Sequence, residues 1–149
     1  MIYYQNVKLK RVSFLKAKEA FQDLKFVRFL TRFQPVKIDK WEGIEPGMTA
    51  RFQLWLFGWR TMEVQHSDLT ETDSELEFFD NGLILPLGLI YWRHCHRLEI
   101  HKEGVRIIDD LHFKHRNKIF EILLYPILIS PITIRKILYP MYFQLLKKN

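Results

Sequence analysis

Between Trp92 and Phe113, residues suited to acid–base or metal chemistry fall at a spacing of two. The run Trp92-Arg93-His94-Cys95-His96-Arg97-Leu98-Glu99-Ile100-His101 alternates in type, and so does Val105-Arg106-Ile107-Ile108-Asp109-Asp110-Leu111-His112-Phe113, with Lys102-Glu103-Gly104 between them. Alternation on both sides of a glycine-containing break predicts a long β-hairpin. Successive strand side chains take opposite faces, so Trp92, His94, His96, Leu98 and Ile100 share one face. Val105, Ile107, Asp109, Leu111 and Phe113 sort together in the same way. A two-residue turn at Lys102-Glu103 sets His96 opposite Asp109. A turn shifted by one residue sets Leu98 there and keeps His96 a near neighbour. Either register brings imidazole and carboxylate together on a face that is otherwise apolar.

Three roles fit such a group. His94 and His96 could be two metal ligands, but a metal needs a third and a fourth. Asp109 is the one candidate placed nearby and His66 is a distant one, so no metal and no other cofactor is expected. As an acid–base pair, Asp109 would fix the tautomer of His96 and raise its basicity, leaving the ring to exchange protons with a bound ketone or enol. His96 and Asp109 are therefore the candidate catalytic residues. The plainest role is structural, because buried polar groups need partners. The chain carries no nucleophile motif, phosphate-binding glycine loop or nucleotide fingerprint. Its single cysteine, Cys95, excludes an internal disulfide and fits a reducing compartment. Arg93 and Arg97 share its face and could lower its pKa, although a lone strand cysteine is ordinarily inert.

The elements that position these residues follow from periodicity. A first strand covers Ile2 to about Val12. Ser13 then suits an N-cap, and Phe14, Ala17, Phe21 and Leu24 recur at helical spacing, predicting a helix from Phe14 to Asp23 and a second from Leu24 to Thr31. From Pro35 the period becomes two. Strands are expected at Val36–Trp41, at Met48–Leu56 with Phe52 and Leu54 on one face, and at Trp59–Leu69 with Met62, Val64 and His66 on one face. Leu76, Phe78 and Asp80 alternate in the next. Asn81 to Gly88 is expected to be a longer apolar connection. Beyond Lys118 the longest charge-free run, Ile122 to Ile134, has 13 residues. That is short of the ~20 needed to span a bilayer, and Pro126, Pro131 and Pro140 interrupt the segment. Broken helical segments ending in a helix around Pro131 to Leu146, and no transmembrane span, are predicted.

Strand, helix pair, six strands and helix make an α+β domain, and 149 residues suit a single domain covering 1–149. The chain is 48% hydrophobic and 15% aromatic, ample for a core or a lined cavity. A net charge of +6 permits weak contact with an anionic membrane. Its basic residues are scattered through every segment, so nucleic acid is not an expected partner. Met1 to Asn6 lack the basic and apolar regions of a signal peptide, and a cytoplasmic setting is expected.

Several of these motifs occur together: Trp41-Glu42-Gly43 followed by Gly47 ahead of a strand, Trp92-x-His94-x-His96 with Leu98, and Asp109-x-Leu111-x-Phe113. From about Pro35 to Leu146 the chain resembles the START-like, or SRPBCC, superfamily, which includes the Bet v 1 allergen class, START lipid-transfer domains and polyketide cyclase-like proteins. It looks most like the small stand-alone branch. Relatives often carry a Gly-Pro-Phe-like segment before the tryptophan strand, where this chain has Leu85-Pro86-Leu87-Gly88. The resemblance implies a helix-grip fold: a curved antiparallel sheet of about seven strands around a carboxy-terminal helix, in β-αα-β6-α order. It also implies a cavity between sheet and helix for a hydrophobic small molecule of lipid, polyketide or aromatic type. Lining residues would then be Phe52, Leu54, Met62, Val64, Phe78, Trp92, His94, His96, Asp109, Leu111, Phe113, Met141 and Leu145, around a volume above ~300 Å³. Two alternatives stand beside that one. One is a cyclase- or isomerase-type enzyme using His96 and Asp109. The other is a peripheral membrane or protein-interaction domain using Arg135, Lys136, Lys147 and Lys148.

Overall fold

Seven antiparallel strands form one sheet in the computed structural model, which describes residues 1–146. The chain runs β1 (Ile2–Lys10), α1 (Phe14–Phe21), α2 (Leu24–Thr31), β2 (Val36–Trp41), β3 (Thr49–Trp55), β4 (Trp59–Glu71), β5 (Glu75–Ile84), β6 (Leu89–His101), β7 (Gly104–His115), α3 (Lys118–Thr133) and α4 (Arg135–Leu145). The spatial order is β1-β7-β6-β5-β4-β3-β2. Strands β2 to β7 are a meander, and the α1–α2 pair carries the chain from one sheet edge to the other. Ser13 caps α1, accepting from the Lys16 N–H, and Asp23 caps α2, accepting from the Lys25 N–H.

The hairpin β6–β7 turns on Lys102-Glu103, with His101 opposite Gly104 and His96 opposite Asp109. Gly104 also allows β1 to close on β7, because a Cβ there would lie 1.9 Å from the Leu9 carbonyl oxygen. Strand β5 is longer than its alternation suggested. Asn81 and Gly82 stay in the ladder, paired with Gln65 and Val64, and the connection shrinks to Leu85–Gly88. Gly82 makes room for the Leu85 side chain, which would otherwise lie 2.4 Å from its Cβ.

The carboxy-terminal helix breaks at Ile134, not at a proline. Pro131 leaves the Ile127 carbonyl without its helical N–H, and the Ser130 hydroxyl donates to that oxygen at 2.9 Å. Pro126 and Pro131 thus remain inside α3 and Pro140 inside α4. Together Lys118–Leu145 make a 28-residue run that is long and apolar enough to cross a membrane, which the interrupted sequence had not suggested. In the fold, Leu124, Leu128 and Ile132 of α3 pack with Leu89, Leu111 and Phe113 of the sheet. Leu138, Tyr139 and Phe143 of α4 pack with α1, α2, β5 and β6 through Phe21, Phe26, Phe78 and Leu98.

Candidate functional site

Two adjacent cross-strand rows on the inner face build the polar cluster. One row runs His66 on β4, Asp80 on β5, His94 on β6 and Leu111 on β7; the other runs Phe78, His96, Asp109 and then Gln5 on β1. His66 donates from Nδ1 to Asp80 at 2.8 Å, and His96 Nε2 meets the other oxygen of Asp80 at 3.0 Å. His94 Nε2 lies 3.1 Å from Asp109, and His96 Nδ1 lies 3.5 Å from the same carboxylate. From β1 and α4, Gln5 Nε2 donates to Asp109 at 2.9 Å, Arg135 Nη1 at 3.1 Å and the Tyr139 hydroxyl at 3.0 Å. Asp109 is fully buried, yet five side chains surround its two oxygens.

The electrostatics follow from this packing. Burial alone would raise the pKa of Asp109, but the Arg135 guanidinium and the hydrogen bonds from His94 and His96 hold it well below the usual carboxylate range. Burial acts the same way on Asp80, and there His96 and His66 outweigh it, leaving Asp80 well below its ordinary value. Burial favours neutral His96, but the charge of Asp80 and hydrogen bonds to both carboxylates raise its pKa. His94, buried and only 3.9 Å from the His96 ring, is pushed down to about 4. The cluster thus sets two depressed carboxylates against Arg135 and a His96 whose charged form is favoured, with His94 held neutral. Each His96 nitrogen faces a carboxylate, Nε2 that of Asp80 and Nδ1 that of Asp109.

Asp80, His94 and His96 also offer metal-ligand atoms within 4.8 Å of one another. Nε2 of His96 and the Asp80 carboxylate already bind each other, and Arg135 adds positive charge, so a cation would have to break that contact. Cys95, on the opposite face, is an unreactive thiol: burial and the neighbouring Glu77 push its pKa up to about 12, against the downward pull of Arg97.

Beside the cluster lies a cavity of about 90 Å³ between α2, α4 and the sheet. Phe21, Phe26, Trp41, Phe52 and Phe78 supply its apolar wall, while His66, Asp80, His96, Arg135 and Tyr139 form its polar end. The deep hollow implied by the resemblance is closed down here. Phe26 stacks on Tyr139 at 5.9 Å and meets Phe21 at 5.1 Å, so aromatic rings occupy the space between helix and sheet.

No family model and no curated protein matches the sequence. Solved structures do match the fold. Protein Ms6760 from Mycobacterium smegmatis superposes with a TM-score of 0.64 at 8% identity, over 97% of this chain and 90% of its own. Hypothetical protein jhp0584 from Helicobacter pylori gives 0.62 at 15% identity, over 77% and 70%. Ara h 8.0201, a Bet v 1 homologue, gives 0.52 at 14% identity, over 91% and 95%. The chain has the Bet v 1-like fold. In this helix-grip arrangement the curved sheet wraps the final helix, and α4 is the part of that helix that meets the polar cluster.

Within the Bet v 1-like fold the residues named from sequence separate into groups. Phe52, Phe78 and His96 line the cavity. His94 and Asp109 sit in the cluster behind it, away from the wall. Met62 and Val64 pack with Leu54 and Trp92, and Leu111 and Phe113 pack against α3. Met141 and Leu145 lie on the outer side of α4 and are exposed, at 38% and 49%. Their expected lining role is corrected by the helix phase: Arg135 and Tyr139, one turn apart, must both reach Asp109, which turns Met141 and Leu145 outward. Arg135, expected on a basic membrane-facing surface, is instead committed to Asp109. Lys136 is exposed, and Lys147 and Lys148 lie outside the described residues.

The sequence did not point to Asp80, Gln5 or Tyr139 as site residues, and it pointed to Arg135 only as part of a membrane-facing surface. Asp80 shares its strand face with Leu76 and Phe78, and Gln5 shares one with Val7 and Leu9, so an isolated polar residue on an apolar face was the available signal for both. Arg135 and Tyr139 carried none, because helix periodicity does not fix which strand a helix will meet.

Proposed function

We propose that the protein binds a small apolar molecule carrying one hydrogen-bonding polar end, in the cavity between α2, α4 and the sheet. The observation behind this reading is His66 Nε2, a buried nitrogen without a hydrogen-bond partner among the described residues, on a ring that lines the cavity. Its Nδ1 proton is given to Asp80. With Nδ1 engaged by Asp80, Nε2 is the ring atom left to meet the polar end of a ligand. An apolar wall with a few convergent polar groups is the usual chemistry of small-molecule pockets. At about 90 Å³ the closed space is below the ~300 Å³ of ordinary ligand pockets, so even a small aromatic ligand enters only as Phe26 and its neighbours on α2 give way. A lipid or polyketide needs Phe26 and its neighbours on α2 to swing out. A cyclase or isomerase reaction would have to use His96 with Asp80, since Asp109 is enclosed by its five partners and does not border the cavity. We place the activity in the cytoplasm on the strength of the single cysteine.

The test is titration with 1-naphthol, an aromatic ring with one hydroxyl, followed by quenching of tryptophan fluorescence. Saturable binding is expected. Replacing His66 by Phe should weaken it about tenfold, the cost of one buried hydrogen bond, and Val27→Trp at the cavity wall should abolish it. Absence of saturation, or equal affinity in all three proteins, removes the proposal.

A further inference from the structure

One end of the molecule carries an unusual density of exposed apolar side chains. The antiparallel order brings four stretches to the same end of the sheet: the start of β1, the β5–β6 connection, the end of β7, and the α3 start that follows it. They are in mutual contact. The amino-terminal group of Met1 binds the Phe113 carbonyl and lies 3.6 Å from Glu121, and the Tyr125 hydroxyl donates to the Ile2 carbonyl. His115 Nε2 bonds the Leu87 carbonyl, and the His115 ring lies 5.7 Å from Phe120. On this end Ile2, Ile90, Ile119, Phe120, Ile122 and Leu123 are each more than half exposed. Soluble monomers rarely gather so many exposed large apolar side chains at one end, and such surfaces mark interaction sites.

The charges around the patch decide what it meets. Lys114, Arg116 and Lys118 are exposed within it, and Lys114 lies 5.8 Å from the ring centre of half-exposed Tyr91. The single acid of α3, Glu121, is buried. It accepts from the His115 backbone N–H and also pairs with Lys118, which holds its pKa down to about 2. The surface thus offers apolar and aromatic side chains amid positive charge, with no exposed carboxylate on α3. Helix α3 is also apolar nearly all round, so one face fills the core while another is left facing out. Exposed apolar groups among lysines and arginines are complementary to the headgroup layer of an anionic bilayer, in which apolar tips enter and cations remain with the phosphates.

We infer that this end, built from the start of β1, the β5–β6 connection and the first two turns of α3, is a docking surface for anionic lipid membranes. The contact is peripheral, because the opposite stripe of α3 stays packed on the sheet. It is independent of the cavity, which lies against α2 and α4.

Co-sedimentation of the full chain with phosphatidylcholine vesicles, with and without phosphatidylserine, tests the assignment. Binding is expected with phosphatidylserine, little without it, and release by raised salt. Each basic residue near such a surface contributes about fivefold in affinity, so Lys114→Gln with Arg116→Gln should weaken binding about 25-fold. Phe120→Ser with Leu123→Ser should weaken it at least as much. Because all four residues are exposed, an unchanged thermal midpoint serves as the folding control, and Leu15→Ser on α1 should leave binding intact. Equal binding to neutral vesicles, indifference to these substitutions, or resistance to extraction at high salt and high pH overturns the proposal. The last outcome would mean that Lys118–Leu145 spans the bilayer. Binding of 1-naphthol should be unaffected by the surface substitutions.

Discussion

Asp109 is a carboxylate that the interior tolerates only because its partners are complete. Gln5, His94, His96, Arg135 and Tyr139 come from β1, β6 and α4, so one side chain ties a sheet edge, a central hairpin and the final helix together. Replacing it with Asn keeps the shape and removes the charge, leaving the largely enclosed Arg135 without its counter-ion. Breaking a buried pair from one side costs ~3–5 kcal/mol, and Asp109→Asn should lower the unfolding free energy in urea by about that amount. A loss below ~1 kcal/mol, the range of exposed ion pairs, would show that solvent reaches Arg135 and that the cluster is not dry. Alternation alone set His96 near Asp109 and left the register open by one residue, which the Lys102-Glu103 turn settles as direct pairing. Asp80, the other carboxylate on His96, was visible only as an acid sharing a face with Leu76 and Phe78.

At the scale of elements, the sheet closes where side chains are absent. Gly104 sits opposite Lys10, and its α-hydrogen faces the Leu9 carbonyl at a distance no Cβ could occupy. Gly104→Ala should therefore push β1 off β7 and lower stability by ~1–3 kcal/mol, as overpacking ordinarily does. Faster amide exchange confined to β1 and the end of the β6–β7 hairpin would locate the damage. Protection unchanged along β1 would show that the edge strand yields without cost. The helices obey a different logic. Three prolines were expected to break the last segment, yet α3 absorbs two of them, one through the Ser130 hydroxyl, and the break falls at Ile134. Where a long helix bends is settled by what it packs against, and here Arg135 and Tyr139 must reach the sheet.

For the whole molecule, the buried cluster sets how stability responds to pH. His94 has a folded pKa near 4 against an ordinary 6.5. The unfolded chain thus takes up a proton that the folded chain refuses, and folding is progressively disfavoured as pH falls from 6.5 to 4. Asp80 and Asp109, both depressed, stabilise the fold above their ordinary value of 3.8, and that contribution is lost as pH falls through their folded values. His96 acts in the opposite sense: its raised pKa supplies stability that is complete below 6.5 and disappears as pH rises through the folded value. Urea unfolding at a series of pH values should show His94→Leu losing less stability than the natural protein between pH 6.5 and 4, while both fall steeply below 3.8. Parallel curves across that upper interval would mean that His94 is not held neutral in the fold.

By itself the sequence determined the α+β order of elements, the β6–β7 hairpin, the Ser13 cap and the nearness of His96 to Asp109, because each rests on interactions local in the chain or across one short turn. Only the tertiary structure decided that Arg135 and Tyr139 complete the cluster, that aromatic rings narrow the cavity to about 90 Å³, and that Met141 and Leu145 face outward. Those outcomes depend on the rotation and depth at which α4 settles against the sheet. Packing and buried charge fix both at once, across separations of 26 to 30 residues along the chain, and no pattern of spacing within a single element carries that information.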